Sequence, residues 1–421
     1  DTETGEQIAN AGKKVKLTDT VSYENLVAGE KYRLTGTLLD QETGEPILVD
    51  GKEVIGETEF TAEESYGTAE VIFSFDGSTL AGKTVVVFEK LWYGEEQIGS
   101  HEDLDSKDQT LVFPAIETVA KNPATDSQVG TAEQETTILD IVSYHNLIPG
   151  KEYTLRGVLM DQETGEEFLV NGEPVISEVA FTPSEPDGSV EMIFTFDGSA
   201  LTGKTLVVFE DVYYKEKTVA SHAEIESDPQ SIYYPEIGTQ AKDGEDGDRE
   251  AKADKEVTII DTVSYKNLTP GLTYQVSGVL MDKSTGAELL INGEDVTGQT
   301  EFVPESAEGT VDVTFTFNAE GLAGKEVVVF EKLYLMLDGK AIPVTSHEDL
   351  SDQGQTVKLV EEETPKTPET LETPDTPATN PPQTGDTTNP VLWIAIAILS
   401  ATGIGCAIWK IRRRKRTEDK V

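Results

Sequence analysis

LTDTVSYENL, residues 17–26, returns as ILDIVSYHNL at residues 138–147 and as IIDTVSYKNL at residues 259–268, 121 residues further on each time. A second stretch, VVVFE ending at Glu89, repeats at the same spacing as LVVFE ending at Glu210 and VVVFE ending at Glu331. A repeat of this length is too long for one turn of a solenoid and long enough to enclose its own hydrophobic core. The sequence therefore predicts three successive modules that share one fold.

The residue pattern inside each module is that of β-strands. Runs such as YRLTGTLL (32–39) and AEVIFSF (69–75) are rich in β-branched and aromatic residues and are separated by turn residues. Asp50-Gly51, Asn171-Gly172 and Asn292-Gly293 suit tight hairpins, since both central residues of a type I′ turn have positive φ. About seven to nine short strands per module predict an all-β fold of tandem immunoglobulin-like β-sandwich modules. We expect the modules at residues 1–113, 114–234 and 235–360.

Composition excludes several classes of function. The formal charge of −46, from 79 acidic and 33 basic side chains, would repel a polyanion, so nucleic acid is not an expected partner. The one cysteine, Cys406, lies in an apolar run and rules out a disulfide framework or a Cys-ligated metal site. Neither a metal nor a cofactor is predicted. A nucleophile elbow and a phosphate loop are also lacking, so we do not expect a turnover enzyme.

The C-terminal part of the sequence has the order of a surface anchor. A Pro/Thr/Glu-rich segment, 361–380, cannot form a core and predicts a disordered, extended stalk. Residues 391–409 are uncharged and long enough to cross a bilayer as one transmembrane helix. The basic tail at 410–421 marks the cytoplasmic side by the positive-inside rule.

Between stalk and helix, residues 381–385 resemble the cell-wall sorting signals that sortases cleave in Gram-positive bacteria. Pro382, Gln383, Thr384 and Gly385 match the Leu-Pro-any-Thr-Gly pattern, and Pro381 stands where that pattern has leucine. The resemblance implies two partners, a sortase and peptidoglycan. The sortase would join this chain covalently to peptidoglycan through Thr384. It also implies an extracellular protein anchored to the wall.

Each module also carries a glutamate, a histidine a dozen or so residues later, and a glutamine. The histidines stand eight residues before the glutamines, as His101 and Gln109, His222 and Gln230, and His347 and Gln355. Each glutamate closes an apolar strand, where burial would be costly unless the carboxyl is paired or protonated. Taken alone, the pattern still favours an exposed strand-end glutamate with an ordinary hydrogen-bonding histidine.

These motifs, with Phe-Glu at 88–89, 209–210 and 330–331, resemble the VaFE-type repeats, the ester-bond domains of Gram-positive adhesins. The resemblance implies an autocatalytic ester between a first-strand threonine and a last-strand glutamine, with loss of ammonia. It implies the pairs Thr118 with Gln230 and Thr239 with Gln355. The assisting residues would be Glu89, Glu210 and Glu331, with His101, His222 and His347.

The family also has an aspartate that shares a proton with the glutamate, three residues before the glutamine. Module 3 has Asp352 there, but modules 1 and 2 have Ser106 and Ser227. With a small shift of the chain, neighbouring carboxylates could substitute: Asp105, Asp108, Glu226 and Asp228.

Module 1 has no threonine at the matching position. Thr118 and Thr239 each precede their module's Asp140 or Asp261 by 22 residues, and the same count from Asp19 falls four residues before Asp1. We therefore expect a fragment that lacks a signal peptide and the first strand of module 1, with Gln109 uncrosslinked.

Together these features predict a wall-anchored structural stalk of a surface adhesin or fimbrial protein, whose binding domain would precede Asp1. The only chemistry expected is single-turnover cross-linking. The alternative is that the modules themselves bind a host or neighbouring-cell ligand, with exposed aromatic residues as the place to look: Trp92, Tyr93, Tyr213 and Tyr214.

Overall fold

The computed structural model describes residues 1–361. Along its strands, the burial of the side chains alternates from one residue to the next. In the strand Tyr153–Asp161, every second residue is buried and the residues between them are half-buried. This period of two leaves one face of the strand for a core. The described residues contain no α-helix, and their only helical turn is a 3-10 turn at Asp228–Gln230.

The strands of module 1 are β1 (Val15–Tyr23), β2 (Lys31–Asp40), β3 (Leu48–Val49), β4 (Lys52–Glu53), β5 (Ile55–Thr61), β6 (Gly67–Phe75), β7 (Thr84–Tyr93), β8 (Glu96–His101) and β9 (Thr110–Val112). Those of module 2 are β10 (Ala115–Lys121), β11 (Thr136–His145), β12 (Tyr153–Asp161), β13 (Glu166–Glu167), β14 (Leu169–Val170), β15 (Glu173–Pro174), β16 (Ile176–Phe181), β17 (Gly188–Phe196), β18 (Thr205–Tyr214), β19 (Lys217–His222) and β20 (Ser231–Tyr233).

Module 3 contains β21 (Glu236–Asp243), β22 (Glu250–Lys252), β23 (Val257–Lys266), β24 (Tyr274–Asp282), β25 (Ala287–Glu288), β26 (Leu290–Ile291), β27 (Glu294–Asp295), β28 (Thr297–Phe302), β29 (Gly309–Phe317), β30 (Glu326–Leu337), β31 (Lys340–His347) and β32 (Thr356–Val360).

Each module places two sheets face to face, which confirms the predicted tandem β-sandwiches. In module 2 one sheet has the order β10-β11-β17, and the other is built on β13-β12-β18-β19, with β16 beside β12 and β20 beside β18. Module 3 repeats this as β21-β23-β29 and a larger sheet centred on β24 and β30. In module 1 the smaller sheet has only β1 and β6, so the counterpart of β10 and β21 is missing from residues 1–113.

Each module also has its own apolar core. Val85, Val86 and Val87 of β7 are all buried, so this strand is covered on both faces. The core of module 2 is extended by Ile8 of module 1, and that of module 3 by Val129 of module 2. Neighbouring modules are therefore in apolar contact where one ends and the next begins.

The C-terminal predictions fall beyond the described residues. Within residues 1–361 no helix is long and apolar enough to span a membrane. The stalk after Glu361, the motif at 381–385, the helix at 391–409 and the tail at 410–421 all lie outside that range.

Candidate functional site

The glutamate of each module lies in the middle of the larger sheet, between a glycine and the histidine. In module 3, Glu331 is directly opposite Gly278 on β24 and opposite His347 on β31. The same cross-strand positions recur as Gly36, Glu89 and His101 in module 1 and as Gly157, Glu210 and His222 in module 2. The sheet register therefore sets each histidine beside its glutamate.

The glycine opposite each glutamate makes room for the facing sheet. A Cβ on Gly278 would lie 2.5 Å from Cζ of Phe315, and one on Gly36 would lie 2.6 Å from Cζ of Phe73. An aromatic ring thus fills the space next to the carboxyl and helps to exclude water. Glu331 is fully buried, and Glu89 and Glu210 are nearly so, so the exposed glutamate that the pattern alone favoured is not what the fold produces.

The glutamine of each module donates its amide to that glutamate. Nε2 of Gln355 lies 3.0 Å from Oε2 of Glu331, and Nε2 of Gln230 lies 2.5 Å from Oε2 of Glu210. Gln109 donates to Glu89 in the same way. All three carboxamide oxygens are buried and have no donor among residues 1–361. A buried carbonyl oxygen without a donor is costly, and a proton on a neighbouring carboxyl would satisfy it.

The first strand brings the threonine to the same place. Oγ1 of Thr118, on β10, lies 3.3 Å from Oε1 of Glu210, and Thr118 is only 3% exposed. In module 3 the Thr239 hydroxyl is buried beside the carboxyls of Asp261 and Glu331. Hydroxyl, carboxyl and carboxamide therefore meet between first and last strand in modules 2 and 3.

The second carboxyl of the cluster comes from a residue that the sequence analysis used only to set the register. Asp140 on β11 and Asp261 on β23 are fully buried, and their carboxyls adjoin those of Glu210 and Glu331. The resemblance to the family implies Asp352 for this place, which is not what the structure shows. Asp140 and Asp261 could have been found from the sequence, because an aspartate stands at an inward position within an apolar strand and recurs at a spacing of 121 residues.

Burial of two adjoining carboxyls favours their protonated forms. Desolvation, reinforced by Asp261, raises the pKa of Glu331 to about 11. In module 2, burial and then Asp140 raise the pKa of Glu210 well above its usual value. Desolvation also raises the pKa values of Asp140 and Asp261. In module 1 the pKa of Glu89 rises less, to about 9, because its site is more open to solvent.

Asp352 contacts the histidine instead of the glutamate. Its Oδ2 lies 3.1 Å from Nε2 of His347, whose Nδ1 lies 3.2 Å from the carbonyl oxygen of Ile237. A backbone carbonyl and an ionised carboxylate both accept hydrogen bonds, so the ring satisfies both when both nitrogens carry hydrogen. Both ring nitrogens therefore face an acceptor, which holds the imidazole ring in place.

Module 2 lacks this support for its histidine. Ser227 occupies the station of Asp352, and Nδ1 of His222 is buried without a partner in the described chain. The carboxylates that the sequence offered as substitutes are all exposed on the surface: Asp105, Asp108, Glu226 and Asp228. The expectation that they replace Asp352 is not supported, because the loops that carry them face solvent.

Module 1 has the carboxamide half of the site without the hydroxyl. Glu89 and Gln109 are in contact, whereas no strand lies beside β1 where β10 and β21 lie in the other modules. His101 is 4.0 Å from Glu89, and 58% of its side chain is exposed.

Fold and site together define a β-sandwich module in which a threonine of the first strand and a glutamine next to the last strand meet at a buried carboxyl pair. The family described as "T-Q ester bond containing domain" matches residues 1–113, 114–234 and 235–359. The chain belongs to this family, with three copies of its domain in succession.

Comparisons with individual proteins carry no further argument. No curated protein matches the chain. A bacterial adhesin from Mobiluncus mulieris with intramolecular disulfide, isopeptide and ester cross-links is 17% identical, over 52% of this chain and 80% of that one, with a TM-score of 0.27. The C-terminal domain of the Streptococcus pyogenes antigen I/II-family protein AspA is 9% identical, over 58% and 99%, with a TM-score of 0.27. A glycosyl hydrolase family 2 member from Bacteroides cellulosilyticus is 13% identical, over 58% and 30%, with a TM-score of 0.23. At such TM-scores these likenesses carry no argument about function.

Proposed function

We propose that the chain is a structural stalk of a bacterial surface adhesin or fimbrial protein, whose modules 2 and 3 are each closed by an internal ester. The ester joins Thr118 to Gln230 and Thr239 to Gln355. The observation that carries the proposal is the meeting of a buried hydroxyl, a buried carboxamide and a buried carboxyl pair. The family to which the chain belongs supports the same chemistry.

The reaction balances without a cofactor. The threonine oxygen adds to Cδ of the glutamine, the Cδ–N bond then breaks, and ammonia leaves with the hydroxyl proton. An ionised carboxyl takes that proton, and a protonated carboxyl polarises the carboxamide. A pair that shares one proton supplies both functions, since two close carboxyls in a dry site do not both ionise.

The nearest base to the hydroxyl is a carboxyl of this pair. Thr118 donates to Glu210, and Thr239 lies beside Asp261 and Glu331. We therefore assign the proton transfers to the Asp–Glu pair. In module 3, His347 and Asp352 serve as positioning residues, because both ring nitrogens are already bonded. Module 2 lacks Asp352's counterpart, so we expect its ester to form more slowly.

The ester would close a loop of over a hundred residues. The chain-entropy model for a cross-link of that span gives a stabilisation of about 4 to 5 kcal/mol. The link would also carry tension directly between the two strands through which the chain enters and leaves a module. This supports a role as a tether under force.

The aromatic residues named for the alternative, a ligand-binding role, are mostly occupied within the protein. Tyr214 is buried against Tyr153, and Trp92 lies under the Arg33 guanidinium and donates to Thr35. Tyr93 is half exposed and packs on Tyr32. Because these rings are used in packing, we prefer the stalk.

At the level of the cell, we propose an extracellular protein of a Gram-positive bacterium. It would be cut by a sortase after Thr384 and joined there to peptidoglycan. The support is the order of motif, apolar span and basic tail in the sequence.

Intact mass of the full chain tests the esters. We expect a mass below that of the sequence by two ammonia molecules. Thr118→Ala or Thr239→Ala should each restore one ammonia, and the double variant should restore both. Gln109→Ala is the matched control, since it alters the same station in the module without a threonine and should leave the deficit at two. A full sequence mass for the wild-type chain contradicts the proposal.

A further inference from the structure

One side chain in each module donates to the stretch of backbone that carries the glutamine of the site. These side chains stand 121 residues apart along the chain: Gln7, Gln128 and Arg249. Each donates to the backbone carbonyl oxygen two residues before its module's glutamine, which belongs in turn to Lys107, Asp228 and Gln353. The contact therefore recurs with the repeat, although the residue type changes in module 3.

The contact is most complete in module 2. Nε2 of Gln128 donates to the carbonyl oxygen of Asp228 and, at 2.9 Å, to that of Ser231. An amide nitrogen carries two hydrogens, so one side chain can serve both carbonyls. They flank Gln230, which is fully buried at the end of the 3-10 turn Asp228–Gln230. Gln128 therefore holds the backbone on both sides of the reactive carboxamide.

The stretch of chain that makes this contact also carries the threonine. Gln128 lies ten residues after Thr118, and Arg249 lies ten residues after Thr239. In module 2 the backbone beside Gln128 runs along the last strand, because the Tyr233 N–H donates to the Gln128 carbonyl oxygen at 2.8 Å. One continuous segment thus supplies the hydroxyl and the donor that holds the turn of the glutamine.

Modules 2 and 3 differ in what else holds that turn. In module 3, Oδ1 of Asp352 accepts from the Gly354 N–H at 2.6 Å, while Oδ2 of Asp352 contacts the histidine. Arg249 is exposed, whereas Gln128 is half-buried. Module 2 has Ser227 at the station of Asp352. Its turn therefore depends more on Gln128 than the turn of module 3 depends on Arg249.

We propose that Gln128 is a positioning residue for the ester between Thr118 and Gln230. It acts through the backbone, by fixing the turn from which the Gln230 side chain extends toward the hydroxyl. Arg249 has the same role, with a smaller effect, in module 3. The inference rests on the proposed ester chemistry and deepens it, since docking of the first-strand segment then orients both reacting groups at once.

The test follows both esters in one chain. The full chain is made by cell-free translation with a short pulse of labelled amino acids, quenched in acid at intervals and digested, and mass spectrometry counts the cross-linked peptides of each module. Gln128→Ala should slow the module 2 ester about ten- to hundredfold, because misplacing reacting groups by about 1 Å costs up to that much. The module 3 ester of the same chain should keep its wild-type rate. Arg249→Ala should slow the module 3 ester by a smaller factor.

Two further variants separate donation from packing. Gln128→Glu has nearly the same shape but offers oxygen atoms to the two carbonyls, so it should slow the module 2 ester as much as alanine does. Gln128→Arg supplies the donor that module 3 uses, so it should bring the rate most of the way back. The Thr118→Ala chain, with and without each Gln128 substitution, shows by pulse proteolysis whether the uncrosslinked module still folds.

Equal rates in the wild-type and Gln128→Ala chains overturn the inference, as does a Gln128→Arg chain no faster than Gln128→Glu. A slower ester in Gln128→Glu that is matched by an equal loss of protection from protease also overturns it, because Gln128 would then only stabilise the fold. The same spectra separate these failures from that of the proposed function. A wild-type chain that forms neither ester contradicts the proposed function, whereas one that forms both and is insensitive to Gln128 contradicts this inference alone.

Discussion

At the scale of single residues, the site depends on how two carboxyls share a proton in a dry pocket. Glu331 and Asp261 are both fully buried, and the His347 ring lies at the edge of the site, opposite Glu331 on the neighbouring strand. Holding both as anions would require desolvating two like charges side by side. Burial therefore favours one proton on the pair across the neutral range, next to the carboxamide of Gln355.

This burial predicts that an uncrosslinked module 3 loses stability as the pH rises. The pKa of Glu331 is about 11 in the fold against an ordinary value of 4.5, so between these values unfolding releases a proton. The contribution of Glu331 to the free energy of unfolding of the Thr239→Ala chain should therefore be largest below pH 4.5. It should fall as the pH rises, by at most about 1.4 kcal/mol per pH unit. Pulse proteolysis in urea, read by mass spectrometry on module 3 peptides, gives the midpoint at pH 5 and pH 8.

The matched control removes the titrating group and keeps its shape. In the double variant Thr239→Ala, Glu331→Gln the fall in urea midpoint between pH 5 and pH 8 should be smaller. Equal falls in the two variants would show that Glu331 is ionised in the folded state and would remove the basis for a shared proton.

The sequence located this site only in part, for a physical reason. The repeat brought out glutamate, histidine and glutamine as a set, because the glutamates recur every 121 residues and each histidine stands eight residues before its glutamine. It did not show which aspartate faces Glu331. Asp352 is near in sequence to Gln355, but its loop points it at His347, whereas Asp261 reaches the glutamate from the opposite sheet. A contact across two sheets depends on how they pack, which local spacing does not encode.

At the scale of elements, the first strand is what completes a module. Strand β10 contributes Ile116, Thr118 and Ala120 to the buried interior and pairs along β11. The alternation that predicts such a strand is plain in the sequence. Ile98 and His101 are exposed in module 1, where no strand is paired with β1 on that side. This exposure depends on tertiary packing, so the sequence pattern does not predict it.

The pairing of the described strands predicts uneven hydrogen exchange among equivalent strands. Within the described chain β1 is paired only with β6, whereas β11 and β23 are each paired on both sides. Amides of Val15–Tyr23 should therefore exchange faster than those of Thr136–His145 and Val257–Lys266, because unpaired edges open with little cost. Exchange of the full chain followed by peptide mass spectrometry measures this.

Strand β6 provides the internal reference for that experiment. It pairs with β1 in module 1 as β17 pairs with β11 and β29 with β23, so these three strands should differ less from one another. Equal protection of β1, β11 and β23 would mean that the edge of β1 is covered in solution.

At the scale of the whole molecule, the modules are joined by contacts that repeat with the sequence. Asn146 donates to the carbonyl oxygen of Lys83 at 2.8 Å and accepts from Thr84 at 3.1 Å, across the junction of modules 1 and 2. Asn267 stands at the same station and contacts Thr205 and Tyr234 across the next junction. Both asparagines have positive φ, a conformation that asparagine tolerates better than most residues. Tension applied to one module is therefore passed to the next through fixed contacts as well as through the chain.

Single-molecule stretching tests whether that tension bypasses the sandwiches. In a chain held near residues 1 and 361, esters at Thr118–Gln230 and Thr239–Gln355 leave only short segments of modules 2 and 3 free to extend. We expect one long unfolding step, from module 1. The chain with both Thr118→Ala and Thr239→Ala should give three, each lengthening the molecule by on the order of 35 nm, since an extended residue spans about 3.4 Å. Gln109→Ala should leave the single step unchanged. Three long steps in the wild-type chain would mean that the first and last strands of modules 2 and 3 are not covalently joined, and a stalk built on these modules would then lengthen under load instead of holding its length.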